Sequence, residues 1–230
     1  MKLLPKHLRR RAFTTAELLM AAGISGVIGS AVMVAYVGLQ RLHTACLTRS
    51  EMRTNVIRVF DFLEADLRDA TALAGTTSGG YSTFPLTLTV PQRYSTYETA
   101  GPFAGDPSRT GTRLEPTVNT TSGKLGFGGN VTITYKTVAN GTAAVNVQRS
   151  ITWTASGTQQ TATRTISTLP KDATFLFRSG GSTSGSPSPI TSTDYTIFAQ
   201  ISAPFTSAKY GNLSPTKMET PILLRGKTLK

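Results

Sequence analysis

The strongest constraint in the chain is the run Leu18 to Val37, LLMAAGISGVIGSAVMVAYV, which holds neither a charge nor a proline. As a helix rising 1.5 Å per residue it would extend about 30 Å, the thickness of a bilayer's hydrocarbon core. Lys2, Lys6, Arg9, Arg10 and Arg11 precede it with no acid among them. That bias predicts a cytoplasmic N-terminus, with the chain beyond Val37 sent outward. Arg41, Arg49 and Arg53 oppose the bias only in part, being spread out and interrupted by Glu51. A cleaved secretory signal would have a shorter apolar stretch, about 7–15 residues, ending at an A-x-A-like site. Here the run continues into VGLQRLH, which offers no such site. Immediately before the run stands a carboxylate, Glu17.

The helical pattern does not stop with the apolar run. No glycine or proline occurs from Gln40 to Ala74. Val56, Phe60, Leu63, Leu67, Ala70 and Ala74 recur at alternating steps of four and three, which makes one apolar stripe on a helix. The spacing predicts a single helix over residues 13–74, about 90 Å long, with residues 18–37 in lipid and the second half amphipathic. GTTSGGY would end it, with Gly75 as the C-cap.

Beyond Gly80 the period changes to two. FPLTLTV reads as a strand, and NVTITYKTV with AAVNVQRSITWT reads as a hairpin turning at Asn140-Gly141. QTATRTIST, ATFLFR, YTIFAQIS and ETPILLRG are further strands, and residues 93–129 read as a long irregular connection. The stripe on the second half-helix needs an apolar partner, and the hairpin strands offer one. The predicted architecture is therefore α+β, a long helix laid by its second half on an antiparallel sheet. It divides into a leader at 1–12, a helix at 13–74 and a β-rich domain at 75–230.

Composition narrows the chemistry. The formal charge of +12 suggests an anionic partner. Five of those charges sit in the leader, however, and the others are scattered without a basic stripe. Nucleic acid stays open as a partner on charge alone. The two histidines, His7 and His43, fall in the leader and just past the apolar run, and Cys46 is the single cysteine. A His-dependent triad or a His/Cys metal site has little to work with. Cys46 reads as a small packing residue, or as a half of a disulfide to a neighbouring subunit. Asp61, Glu64, Asp66 and Asp69 lie on several sides of the helix rather than at calcium-ligand spacing, and read as a solvated face. Glu98, Asp106, Glu115, Asp172, Asp194 and Glu219 are the only acids of the β region. They are too sparse to suggest a paired-carboxylate site. GFGGN at 126–130 and SGGSTSGS do not sit between a strand and a helix as a phosphate loop would. Trp153 reads as core. No catalytic group, metal or cofactor is expected, and the chain reads as a non-enzyme.

Glu17 has two readings. It can rest at the membrane interface near a helix N-terminus, where the dipole favours a carboxylate. The other reading comes from its surroundings. A basic stretch, the small residue Ala12, then Phe13, then Glu17 fifth from that Phe, then a bilayer-length apolar helix: this order resembles the N-terminus of type IV prepilins and pseudopilins. The later VIRVFDFLEADLRDAT, with its Asp66-Leu67-Arg68 step, is similar to the helix of the larger minor members. Ala12 stands where the family more often has Gly, and FTTAELLM replaces the more typical FTLIELLV. The resemblance implies cleavage between Ala12 and Phe13 by a prepilin peptidase, with methylation of the new Phe13 amine. It also implies that Glu17 of an incoming subunit neutralises the Phe13 amine of a neighbour. The implied partners are sister pilins or pseudopilins, an inner-membrane assembly platform, an assembly ATPase acting indirectly, and membrane lipid. The implied location is the bacterial inner membrane, single pass, and then an extracytoplasmic fibre. Two other expectations stand beside it: a DNA-binding or adhesive tip pilin, and an uncleaved membrane-anchored binding protein or enzyme.

Overall fold

The computed structural model describes residues 13–97, 112–118, 120, 125–180, 187–191, 194, 196–207 and 211–224. It has an α+β layout, one long N-terminal helix followed by antiparallel strands. The chain divides into two units, one ending at Leu47 and one beginning at Thr48. Ala12 and the rest of the leader, like Glu98 and Asp106, lie outside the described residues.

Helix α1 runs Thr15–Asp69. In the first unit, every large apolar side chain from Leu18 to Leu47 is exposed. The helix is long and apolar enough to cross a membrane, and its most apolar 18-residue window buries nothing within the chain. Cys46 is exposed on this stretch.

In the second unit the helix turns one face inward, burying Val56, Val59, Phe60, Leu63, Asp66 and Leu67. That is the stripe expected from the sequence, except at its end. The helix stops at Asp69, five residues before the expected Ala74. The Ala70 N–H donates to Leu67 O at 3.2 Å, and the Thr71 N–H donates across to Thr89 O at 2.8 Å. Strand β1 (Ala72–Ser78) begins at once and pairs antiparallel with β2 (Tyr81–Pro91), with Ala72 opposite Thr89 and Ser78 opposite Tyr81. The physical reason is the Gly79-Gly80 pair, with φ of 58° and 83°. Two positive-φ residues make the tight turn whose twist suits a hairpin. The hairpin captures residues 72–78 before a helix can. Gly75 is thus no helix cap. It sits in β1 at a register shift, where a Cβ would come within 3.1 Å of the Ser82 Cβ. Ala74, expected on the helical stripe, is exposed on that strand.

The remaining strands are β3 (Thr117–Val118), β4 (Leu125–Gly126), β5 (Asn130–Asn140), β6 (Ala144–Ala155), β7 (Thr158–Pro170), β8 (Thr174–Ser179), β9 (Thr196–Ser207) and β10 (Gly211–Leu223). β3 and β4 form a small separate ribbon inside the connection read as irregular. The main sheet runs β10-β9-β8-β2-β5-β6-β7, with β1 also on β2. The expected hairpin is present, with Asn140 opposite Ala144 around Gly141 at φ 70°. The next turn, Ser156-Gly157, also has both φ positive.

At β2 the sheet forks. β1 holds one edge of β2 along its length. On the other edge β8 meets Ser82, while β5 pairs with Leu86 through Pro91. Phe84 fills the angle of the fork. Its ring stacks on Phe175 at 4.4 Å and lies 5.6 Å from Phe177 and 6.1 Å from Tyr135. The helical stripe and the inner sheet face (Leu88, Ile133, Ile151, Trp153, Ile197, Ile201) belong to one buried cluster. Each such side chain contributes about 1.5–3 kcal/mol of burial.

Candidate functional site

Two places in the structure bear on function: the start of α1, and a buried charge cluster between helix and sheet.

At the helix start, Thr14 is the N-cap and Glu17 the third helical residue. The Thr14 N–H donates to Glu17 Oε2 at 2.9 Å, and the Thr14 hydroxyl donates to the same oxygen at 3.1 Å. The Glu17 N–H returns a bond to Thr14 Oγ1 at 3.3 Å. This is a capping box, in which the two residues satisfy each other's orphan donors. Its signal stands in TTAE, a Thr three residues before a Glu, which the dipole reading of Glu17 leaves out. Among the described residues, Glu17 Oε1 accepts no hydrogen bond. Phe13 is exposed just before the cap. Of the three residues marked by sequence, Phe13 and Glu17 are described at this helix start, and Ala12 is not among the described residues.

The second place corrects the sequence reading. Asp66 is not on a solvated face: it is 7% exposed and points into the core. Arg149 of β6, 2% exposed, grips its carboxylate with both arms of the guanidinium, Nε to Oδ2 at 2.7 Å and one terminal nitrogen to Oδ1 at 2.9 Å. The Tyr135 hydroxyl of β5 donates to Oδ2 as well. Fork-on-carboxylate geometry is what allows such charges to stay buried. Burial raises the Tyr135 pKa well above its ordinary value, and the neighbouring Asp66 charge raises it further. For Arg149, burial pulls the pKa down. The charge of Asp66 and the hydrogen bonds to it more than offset that pull, and the guanidinium is held above its usual value. The other helix acids match the solvated reading better. Glu64 pairs with Arg68 one turn on, Asp69 pairs with Arg93 at 2.9 Å, and Asp61 is exposed.

The signal for Asp66 is present in the spacing. Leu63, Asp66 and Ala70 continue the steps of three and four. Arg149 occupies the inward position of the β6 alternation Val147, Ile151, Trp153. The arrangement can lock one register of helix on sheet. Among the described residues, no group of three or more His, Cys, Asp or Glu side chains is placed to hold a metal.

Set against family models, curated proteins and solved structures, the chain matches none of them.

Proposed function

We propose that the chain is a structural subunit of a type IV pilus or type II secretion pseudopilus, of the larger minor kind. The observation that carries the reading is the order of groups at the N-terminus. A basic leader, Ala12, Phe13 and Glu17 stand at the head of a helix whose large apolar side chains are all exposed through Leu47. In this reading a prepilin peptidase cuts between Ala12 and Phe13 on the cytoplasmic side of the inner membrane and the new amine is methylated. The subunit then leaves the bilayer for a fibre and does no chemistry of its own. A carboxylate near lipid is costly unless compensated. Glu17 Oε2 serves its own helix through Thr14. Oε1 is left for the Phe13 amine of a neighbouring subunit, so a subunit in register removes the cost and one out of register does not. The platform protein, the peptidase and sister pilins are the partners of this reading.

Mass spectrometry of the mature N-terminus tests it. A methylated Phe13 is the expected result. An intact Met1, or a cut beyond Val37, overturns the reading in favour of an uncleaved anchored protein.

A further inference from the structure

The two halves of the main sheet are held unequally. β5 pairs with β2 from Leu86 through Pro91, and Tyr135 and Arg149 tie β5 and β6 to Asp66 of the helix. The other half, β8-β9-β10, meets β2 at the single backbone pair of Ser82 with Phe177. Among the described residues, no ion pair joins these three strands to α1. Both halves bury apolar side chains in the common cluster. Backbone and polar ties therefore distinguish them.

A short segment takes over where backbone pairing stops. Two residues beyond the Ser82 pair, the same register would set Gly80 opposite Ser179. Instead the Ser179 N–H donates to Ser188 O at 2.9 Å. A Cβ on Gly80 would come within 2.9 Å of Pro187 O, so the segment lies directly against that turn. The Ile190 N–H donates to Ser82 Oγ at 3.1 Å, and the Ile190 side chain is buried. Asp194 closes the arrangement. Its Oδ1 accepts from the Ser179 hydroxyl at 2.6 Å, and its Oδ2 accepts from the Thr191 N–H at 2.7 Å. Ser82 and Ser179, the anchor points on the sheet, are themselves buried. At the opposite end of β8, residues 171–173 are all that connect it to β7.

We propose that residues 187–191, with Asp194, are a latch, and that β8-β9-β10 opens as one unit about residues 171–173 when the latch is released. The half pinned through Asp66 stays on the helix. Relative cost decides which half moves. Parting β5 from β2 breaks the pairing along Leu86–Pro91 and leaves Arg149 charged and unpartnered. Parting β8 from β2 gives up one backbone pair, the Phe84 stacking and the latch. Parts of a fold with fewer such ties open at lower free energy than the whole. The bonds to the Asp194 carboxylate are the strong members of the latch, because hydrogen bonds to a charged group exceed neutral ones. The inference concerns the second unit alone and does not depend on the N-terminal reading.

Hydrogen exchange of the full chain in nonionic detergent, read peptide by peptide in a mass spectrometer, tests it. In the parent, amides of β9 should exchange at least about tenfold faster than those of β6. The variant D194A removes both accepting oxygens. It should speed exchange in β9 and β10 by a further factor of about ten, including residues 201–203 near the hinge end of β8. β5 and β6 should keep the parent rates. D172A, which removes an exposed acid from the connecting residues, should leave both halves unchanged. Equal protection of β6 and β9 in the parent overturns the proposal without any variant having to fold. So does acceleration in D194A that is confined to residues 179–194, which would make the segment a local turn. Equal acceleration of both halves, or none in either, overturns it too.

Discussion

Replacing Asp66 with asparagine tests the buried cluster most sharply. The asparagine carbonyl still accepts one hydrogen bond, but the negative charge is gone. Arg149 then remains 2% exposed with its charge uncompensated. Breaking a buried pair on one side costs about 3–5 kcal/mol, a large part of the roughly 5–15 kcal/mol that holds a domain together. At about 2–4 °C per kcal/mol for a domain of this size, the melting temperature should fall by about 6–20 °C. The assay is thermal unfolding of the full chain in detergent, followed by fluorescence of Trp153. It is the only tryptophan, and it is buried edge-on against Tyr97 at 5.1 Å. The triple variant Asp66→Leu, Arg149→Met, Tyr135→Phe removes every member of the cluster. It should recover most of the loss, since an apolar set of similar volume often equals a buried ion pair. A D66N melt within about 2 °C of the parent, or an apolar triple no more stable than D66N, would refute the assignment.

Two further outcomes rest on the same geometry. Glu17→Gln keeps the reach to the Thr14 N–H, so the capping box survives, whereas Glu17→Ala loses about 1 kcal/mol of cap. If Glu17 serves assembly by its charge, both variants are left out of fibres; normal incorporation of E17Q would reduce the residue to a cap. The second concerns alkaline pH. The folded-state pKa of Tyr135 is raised above its unfolded value near 10, and that of Tyr97 is raised too. Above pH 10 the unfolded chain releases these protons while the folded chain keeps them. Stability is therefore full below that pH and falls as pH rises. Urea melts between pH 8 and 11 should show the decline, less steeply in Tyr135→Phe; an identical decline in that variant would exclude Tyr135 as its source.

Legibility tracks the strength of the periodic signals. The apolar run and the stripe from Val56 to Leu67 are plain in the sequence, because each needs only the spacing of side chains along one helix. β5 and β6 are equally plain, since a local turn sets their register. The end of α1 is not, because Ala70 and Ala74 also satisfy a helical spacing. Competition from β2 decides the matter, its backbone pairing with residues 72–78, and that is not a local property. Asp66 misleads for a related reason. A lone acid in a stripe looks like an edge position until its partner Arg149 is known, and that partner lies 83 residues away. The capping box is legible in TTAE, although the dipole alone does not require it.

The fork at β2 has a consequence for how such a chain can change over time. The leaves β5-β6-β7 and β8-β9-β10 touch a shared spine at separate heights, with aromatic rings as the wedge between them. A hairpin in either leaf can therefore lengthen, shorten or diversify its tip without dragging the other out of step. The spine strand, and Phe84 with it, is where drift should be slowest.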